Sequence, residues 1–249
     1  MLEITEDDTG VITLTLNNPP ANALNNATLR ELVATLARIN ADTSVRGVLL
    51  AAVGDRFFCA GGDVKEFSVI TQERGLERVR LGSRLKSGLA QLECPYVCAV
   101  NGVAVGSGME MAALADFCVA SSTARFGMPE INHGLLPMAK GIQQLVRVMG
   151  EKAAKEVLFG GEIFSAKKAL EYGLVDEVVE PEHLQERARE WMAAMAAKPP
   201  QLFRALKRTV RDSADLTDEE LERQTEEDFL GYFQTDEATA QLQDLTGRN

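Results

Sequence analysis

Glu110 and Glu130 are the residues whose type and spacing first suggest chemistry. They stand 20 positions apart in VAVGSGMEMAALADFCVASSTARFGMPEINHG, residues 103–134, a glycine-rich and mostly apolar stretch whose only other charges are Asp116 and Arg125. A lone glutamate most often caps a helix or sits on a solvated face. Glu110 follows GSGM and precedes MAALA, which puts it in the first turn of an expected helix with little polar face. The positive end of the helix dipole also suits an acid there, so a structural role stays open until a partner is found. Should the two carboxylates converge, burial and mutual repulsion would split their proton affinities, leaving one as a base and the other as an acid.

Two glycine-rich loops, CAGGD at 59–63 and VGSGM at 105–109, each follow an expected strand. A glycine loop that opens a helix leaves N–H groups free for a phosphate or for an oxygen that gains negative charge during a reaction. A dinucleotide reading fails because GSGMEM breaks the G-x-G-x-x-G/A fingerprint at Met111 and no acid stands at the end of the next strand. No G-x-x-x-x-G-K-[ST] or G-x-S-x-G motif occurs, and the chain has two histidines. Nucleotide binding and serine hydrolysis fall back accordingly. CPYVC is a C-x3-C with no histidine nearby, so a zinc site is not expected.

The elements that must position these residues are read from periodicity. GVITLTLN, VRGVLLAAV, YVCAV and FCVAS read as strands, NATLRELVATLARIN as a helix capped by Asn25 or Asn26, and residues 107–115 as a short helix. A charged helical region is expected from the CAGGD loop to about Leu92. Beyond Gly150 the pattern turns helical through KAAKEVLFG, SAKKALEYG, EHLQERAREWMAAMAA, QLFRALKRTVRD and DEELERQTEEDFLGYF, with a strand-like link at GLVDEVVE. The expected class is α/β with a helical appendage, divided as a core at 1–190 and a C-terminal helical region at 191–249.

The 249 residues are 45% hydrophobic, enough for one sizeable core. Lys and Arg number 26 against 37 Asp and Glu, a net charge of −11 with no basic tract, which argues against nucleic-acid or anionic-membrane partners. No 18-residue apolar run suggests a membrane span. The four cysteines lie in apolar segments with no secretory signal at MLEITEDDTG, and read as reduced core thiols of a cytoplasmic protein.

Four segments, CAGGDVKEF, AVNGVAVGSGMEMAALADFCVAS, ARFGMPEINHGLLP and FSAKKALEYGLVDEVV, together resemble the enoyl-CoA hydratase/isomerase, or crotonase, superfamily, in order and spacing. The resemblance runs from about residue 2 to residue 235. It implies a spiral of β-β-α units with a C-terminal helical trimerisation region, assembled as a homotrimer or as a dimer of trimers (a homohexamer). It further implies an acyl-CoA lyase of the kind found in fatty acid metabolism, needing no cofactor beyond the CoA of its substrate and no metal. By motif position, Ala60 and Ser107 match the backbone donors of an oxyanion hole, and Glu110 and Glu130 match the two catalytic glutamates. Ala21, Ala23, Asp63 and Lys65 fall where CoA is bound.

The expected reaction is hydration of a 2-enoyl thioester through an enolate. The alternatives are a double-bond isomerase or a hydratase of an alicyclic or dienoyl-CoA ring substrate, and, from another class, a catalytically idle CoA-binding or RNA-binding relative. This chain has PMAKG where a PGAGG-like run is common, so Met138 and Lys140 are expected to reshape the acyl pocket. An ammonium at 140 would neutralise Glu130, favouring Glu110 as the proton donor, or meet a polar group on the acyl chain, or else point to solvent. His133 reads as structural.

Overall fold

The computed structural model describes residues 1–67, 71–245 and 247. Residues 68–70 of the expected charged helical region, and residues 246 and 248–249 of the tail, lie outside the described residues.

The chain opens with β1 (Leu2–Glu6), β2 (Val11–Leu16) and α1 (Asn26–Ala41). The side chain of Asn25 accepts the N–H of Thr28 at 2.8 Å and so caps α1. Three β-β-α turns follow. The first is β3 (Gly47–Ala52), β4 (Phe57–Cys59), the single turn α2 (Val64–Phe67) and α3 (Gln72–Ala90). The second is β5 (Tyr96–Val100), β6 (Val103–Val105) and α4 (Ser107–Ala113). The third is β7 (Phe117–Ser121), β8 (Arg125–Gly127), a 3-10 turn at Pro129–His133 and α5 (Ala139–Gly160). Then come β9 (Ile163–Ser165), α6 (Ala166–Glu171), β10 (Glu177–Val179), α7 (Leu184–Ala196), α8 (Pro200–Asp212), α9 (Asp218–Phe233) and α10 (Asp236–Leu245).

The first strand of each turn joins one sheet and the second joins another. The larger sheet runs β1-β2-β3-β5-β7-β10, antiparallel only between β1 and β2, and the smaller runs β4-β6-β8-β9, antiparallel only between β8 and β9. Strands β3 and β5 are buried along their whole length, which is why they read as unbroken apolar runs. Their period-two alternation still shows in what each face meets: Val48, Leu50, Tyr96, Cys98 and Val100 enter the main core with α1 and α3. Leu49, Ala51, Val97 and Ala99 instead meet Leu184, Ala188 and Met192 of α7, spaced by four on one helix face. The four cysteines are buried free thiols, as expected, and burial pushes Cys59 up to about 12.

Because α7 covers the larger sheet, the expected division at 190 cuts a core helix: Trp191 stacks on Phe117 of β7 at a centroid distance of 4.4 Å, and Met192 is buried. The helices beyond that core packing are α8 to α10. The helical character also starts earlier than expected, since α5 begins at Ala139 and continues past Gly150, whose φ of 75° and ψ of 160° break the helix there. Four three-residue strands, β4, β6, β8 and β9, escaped the periodicity reading, being too short to show alternation.

Candidate active site

The smaller sheet builds the site. β4, β6 and β8 are parallel neighbours, so the segments leaving their C-terminal ends lie side by side. Those segments are Ala60–Gly62, Gly106 with the first turn of α4, and Met128 with the 3-10 turn. Ala60, Ser107, Glu110, Glu130 and Met138 thereby line one cavity of about 550 Å³, closed on another side by α3 and large enough for an acyl chain.

Glu110 is 1% exposed, and Lys86 of α3, equally buried, pairs with it: Lys86 Nζ lies 2.7 Å from Glu110 Oε2 and donates to Ser107 Oγ at 3.0 Å. Glu110 Oε1 and Glu130 Oε2 are buried without a hydrogen-bond partner among the described residues. Burial raises the Glu130 carboxyl above the usual range, opposed by its hydrogen bond to backbone, and the neighbouring Glu110 charge raises it further.

Two glycines leave room for these acids. A Cβ on Gly141 of α5 would overlap Glu110 Oε1. One on Gly106, the N-cap of α4 at φ 53°, would stand 2.6 Å from Glu130 Oε1 and would also strain a left-handed backbone.

The backbone donors need one correction. The Ala60 N–H donates to the Ala21 carbonyl at 3.0 Å, so it is committed within the fold and is not available to a ligand. Gly62 is placed differently. Leu24 N–H donates to Gly61 O at 2.8 Å and Asp63 N–H donates to Leu24 O at 3.1 Å, which turns the intervening Gly62 N–H to the opposite, cavity side. Ser107 is the first residue of α4, and Gly106 supplies no side-chain cap, so its N–H is one of the helix's free donors. The backbone of Gly61 passes close by: a Cβ there would sit 3.7 Å from the Ser107 nitrogen.

Lys140 needs the second correction. It does not line the cavity that holds Glu130; it lines another, of about 630 Å³, with Gln144, Arg147, Asp116 and Lys207. Adjacent residues on a helix point about 100° apart, so Gly141 abuts Glu110 while Lys140 turns to the second cavity. The inference that an ammonium at 140 makes Glu110 the proton donor falls with it.

Ala21, Ala23, Asp63 and Lys65 lie on the two strands of chain bridged at Leu24 and Gly62, beside the cavity rather than in its lining. The Ala23 carbonyl accepts from Asn18 Nδ2 at 2.7 Å, and Asp63 Oδ1 accepts the N–H of the exposed Lys65 at 3.0 Å. His133 is exposed at the cavity wall. Among the described residues there is no group of His, Cys, Asp and Glu that could hold a metal ion, and no helix long and apolar enough to cross a membrane.

The functional residue that sequence reasoning missed is Lys86. A lysine in a charged helix reads as solvated. The signal was the spacing Arg78, Gly82, Lys86, one stripe at intervals of four with a glycine at its centre, and that stripe faces the cavity.

This geometry has counterparts among known proteins. The model of the enoyl-CoA hydratase/isomerase family matches residues 6–245. A short-chain-enoyl-CoA hydratase of Clostridium acetobutylicum is 36% identical over 208 residues, covering 83% of this chain and 80% of that protein. A 2,3-dehydroadipyl-CoA hydratase of Escherichia coli is 38% identical over 207 residues, with the same coverage of 83% and 80%. The crystal structure of an enoyl-CoA hydratase from Bacillus anthracis superposes with a TM-score of 0.93 at 30% identity, over 100% of this chain and 96% of that one. With strands, loops and both acids in this arrangement, and a match along nearly its whole length, the chain belongs to the enoyl-CoA hydratase/isomerase family.

Proposed function

We propose that the protein is an enoyl-CoA hydratase, a lyase that adds water across the 2,3 double bond of an acyl-CoA thioester. The observation that carries this reading is the pair of acids on one cavity, Glu110 buried and Glu130 half-buried, each with a buried oxygen that has no partner among the described residues, beside the Gly62 and Ser107 N–H groups.

The thioester carbonyl lies between the Gly62 and Ser107 N–H groups, which stabilise the enolate oxygen as charge moves onto it; one such donor is typically worth about 3–4 kcal/mol. Glu110, paired with an ammonium on one oxygen, takes a proton from water with the other as the hydroxyl adds to C3. Glu130, whose carboxyl burial pushes up, gives its proton to C2. The product is a 3-hydroxyacyl thioester, and exchange of the proton between the two acids through the next water restores the starting state. Every atom of the step comes from substrate, water and the two carboxyls, and the reaction needs no cofactor beyond the CoA of the substrate.

CoA is proposed to run along the Ala21–Ala23 and Asp63–Lys65 segments beside the cavity, and Met138 to bound the acyl chain next to Gly82, whose missing side chain leaves space 3.7 Å from the Met138 side chain. Assembly as a trimer or dimer of trimers is supported by the apolar residues that α8 and α9 leave uncovered, among them Leu206 at 67% and Val210 at 76% exposure. A species of one chain mass alone in sedimentation at micromolar concentration would refute it.

The direct test of function is to mix the protein with crotonyl-CoA and follow loss of the conjugated-thioester absorbance, then repeat with branched, aromatic, alicyclic and carboxylated enoyl-CoAs. Turnover of a conjugated substrate with uptake of solvent oxygen supports the hydratase. Double-bond migration without water uptake would favour the isomerase instead.

A further inference from the structure

We propose that Lys86 is a positioning residue for this reaction: its ammonium holds Glu110 Oε2, aims Oε1 at the water and anchors the Ser107 side chain, so that base and oxyanion donor are fixed by one cation. The proposal rests on the hydratase reading and adds a residue to it.

The argument starts from burial. A lysine with 1% of its surface exposed needs a charge partner and hydrogen-bond acceptors, and Lys86 has Glu110 at 2.7 Å and Ser107 Oγ at 3.0 Å. If the pair served stability alone, Glu110 would be expected to satisfy both oxygens, and an apolar pair of similar volume would do as well or better. Instead Oε1 stays unpartnered on the side where Gly141 has no Cβ, and both residues line the acyl cavity. Ser107 adds a second constraint. Its N–H is a proposed oxyanion donor and its hydroxyl is tied to the same ammonium, so movement of Lys86 disturbs both ends of the reacting unit.

Lys86 also sets the charge of the site, which holds two acids and one ammonium. The other titratable or charged groups around the pair are Glu130 from the 3-10 turn, Cys59 from β4, Arg78 one stripe position away on α3, and the exposed His133; α5 contributes only Gly141 at this point. Removing the Lys86 charge leaves the two carboxylates facing each other without compensation. The site then lacks the cation that pairs with its base, and its activity falls first over the acidic part of the range.

The test compares Lys86→Gln, which keeps a hydrogen-bond donor without charge, with the parent on its best enoyl-CoA. Expected are a fall in kcat of about tenfold to a hundredfold, a KM within about threefold, and an acidic limb of the pH-rate profile moved up by about one to two pH units. Unchanged kcat with an unchanged profile, in a parent that hydrates enoyl-CoA, would overturn the role of Lys86 and leave the hydratase reading standing. A parent inactive on every enoyl-CoA would overturn the hydratase reading first. If Lys86→Gln fails to fold, Lys86→Gln with Glu110→Gln should recover the fold by removing the stranded charge. A double variant that is no better folded than the single one makes Lys86 a packing residue and refutes the proposal.

Discussion

Two lysine–carboxylate pairs involve α4 and the residues just past its end, and they are built differently. Lys207 of α8 lies 2.6 Å from Asp116 Oδ2 and also donates to the Cys94 carbonyl at 2.8 Å, while the same Asp116 oxygen accepts the Tyr96 N–H at 2.7 Å. That pair is a clasp, fastening α8 to the ends of β5 and β7. Lys86 and Glu110 are more deeply buried, yet one carboxylate oxygen is left without a partner on a cavity wall. The fastening pair ties its cation and its shared carboxylate oxygen to backbone groups of two strands, whereas the reactive pair keeps a fully buried oxygen in reserve. The difference is visible without any ligand, and it separates two residues of similar composition on neighbouring elements.

The largest effect should come from breaking the reactive pair on its acid side. Glu110→Gln keeps the shape and removes the base, and should lower kcat by a factor of about 10² to 10⁴ with little change in CoA affinity, because the lost interaction belongs to the transition state. Steady-state kinetics on crotonyl-CoA, with CoA competition as the affinity readout, decides this. A variant within threefold of the parent would remove Glu110 from the chemistry.

The clasp should respond the other way. Lys207→Met leaves Asp116 with less compensation and should lower unfolding stability by about 1–3 kcal/mol while per-site kcat in the folded protein stays within twofold. Burial already raises the Asp116 carboxyl, with Lys207 pulling it down, so removing the lysine raises it further. A carboxyl raised in the folded state favours folding below its unfolded value and loses that contribution as pH rises through the folded value. The variant's deficit should therefore be largest near neutral pH and shrink towards pH 4. Denaturant titrations of both proteins at pH 7 and near pH 4 give the comparison, and a constant gap would count against the assignment.

How much of this contrast could be read from the chain depends on which interactions local sequence reports. Glu110 and Glu130 stood out because apolar neighbours make a charge conspicuous. Central strands such as YVCAV did so because both of their faces are buried. Lys86 was hidden by the opposite circumstance: among Arg80, Arg84 and Glu77 it looks like one more solvated charge, and only the packing of α3 over α4 buries it. The N–H left for a ligand lies two residues from the expected one, at Gly62 rather than Ala60, because which N–H is committed within the fold depends on the pairing of Leu24 with a loop some 40 positions away in the chain, a contact with no sequence period. Lys140 was misassigned because motif position fixes the helix but not which side of it a residue takes.

Glu130→Gln sharpens the comparison further, since Glu130 forms no ion pair among the described residues. Burial raises its carboxyl in the folded protein, which by the same linkage means stability present below the unfolded value and lost as pH rises through the folded one. Replacing it with a neutral isostere should remove that loss. We expect the variant to be more stable than the parent by about 0.5–2 kcal/mol at pH 7, with the advantage closing towards pH 4, while hydration falls by orders of magnitude. Thermal unfolding at the two pH values measures it, and a variant less stable than the parent at pH 7 would show that Glu130 holds the fold together rather than straining it.

The smallest effect is expected at Lys140, and its smallness is informative. Lys140 and Gly141 are adjacent, yet they face different surroundings, Lys140 lining the second cavity with Arg147 and Lys207 and Gly141 packed against Glu110. If the ammonium at 140 acted on the acyl pocket, its removal would change the ranking of linear against polar enoyl-CoAs and move the pH-rate profile. Lining the second cavity, it should do neither. Lys140→Ala avoids the helix penalty that glycine would bring, and as a change at a half-buried position that belongs to neither pair it should alter stability by no more than about 0.5 kcal/mol. Substrate ranking and the acidic limb should both match the parent, in contrast to the shift expected for Lys86→Gln. A displaced profile in Lys140→Ala would mean that charge on the second cavity reaches the acids through α5, and the two lysine–carboxylate pairs would then have to be treated as one electrostatic unit.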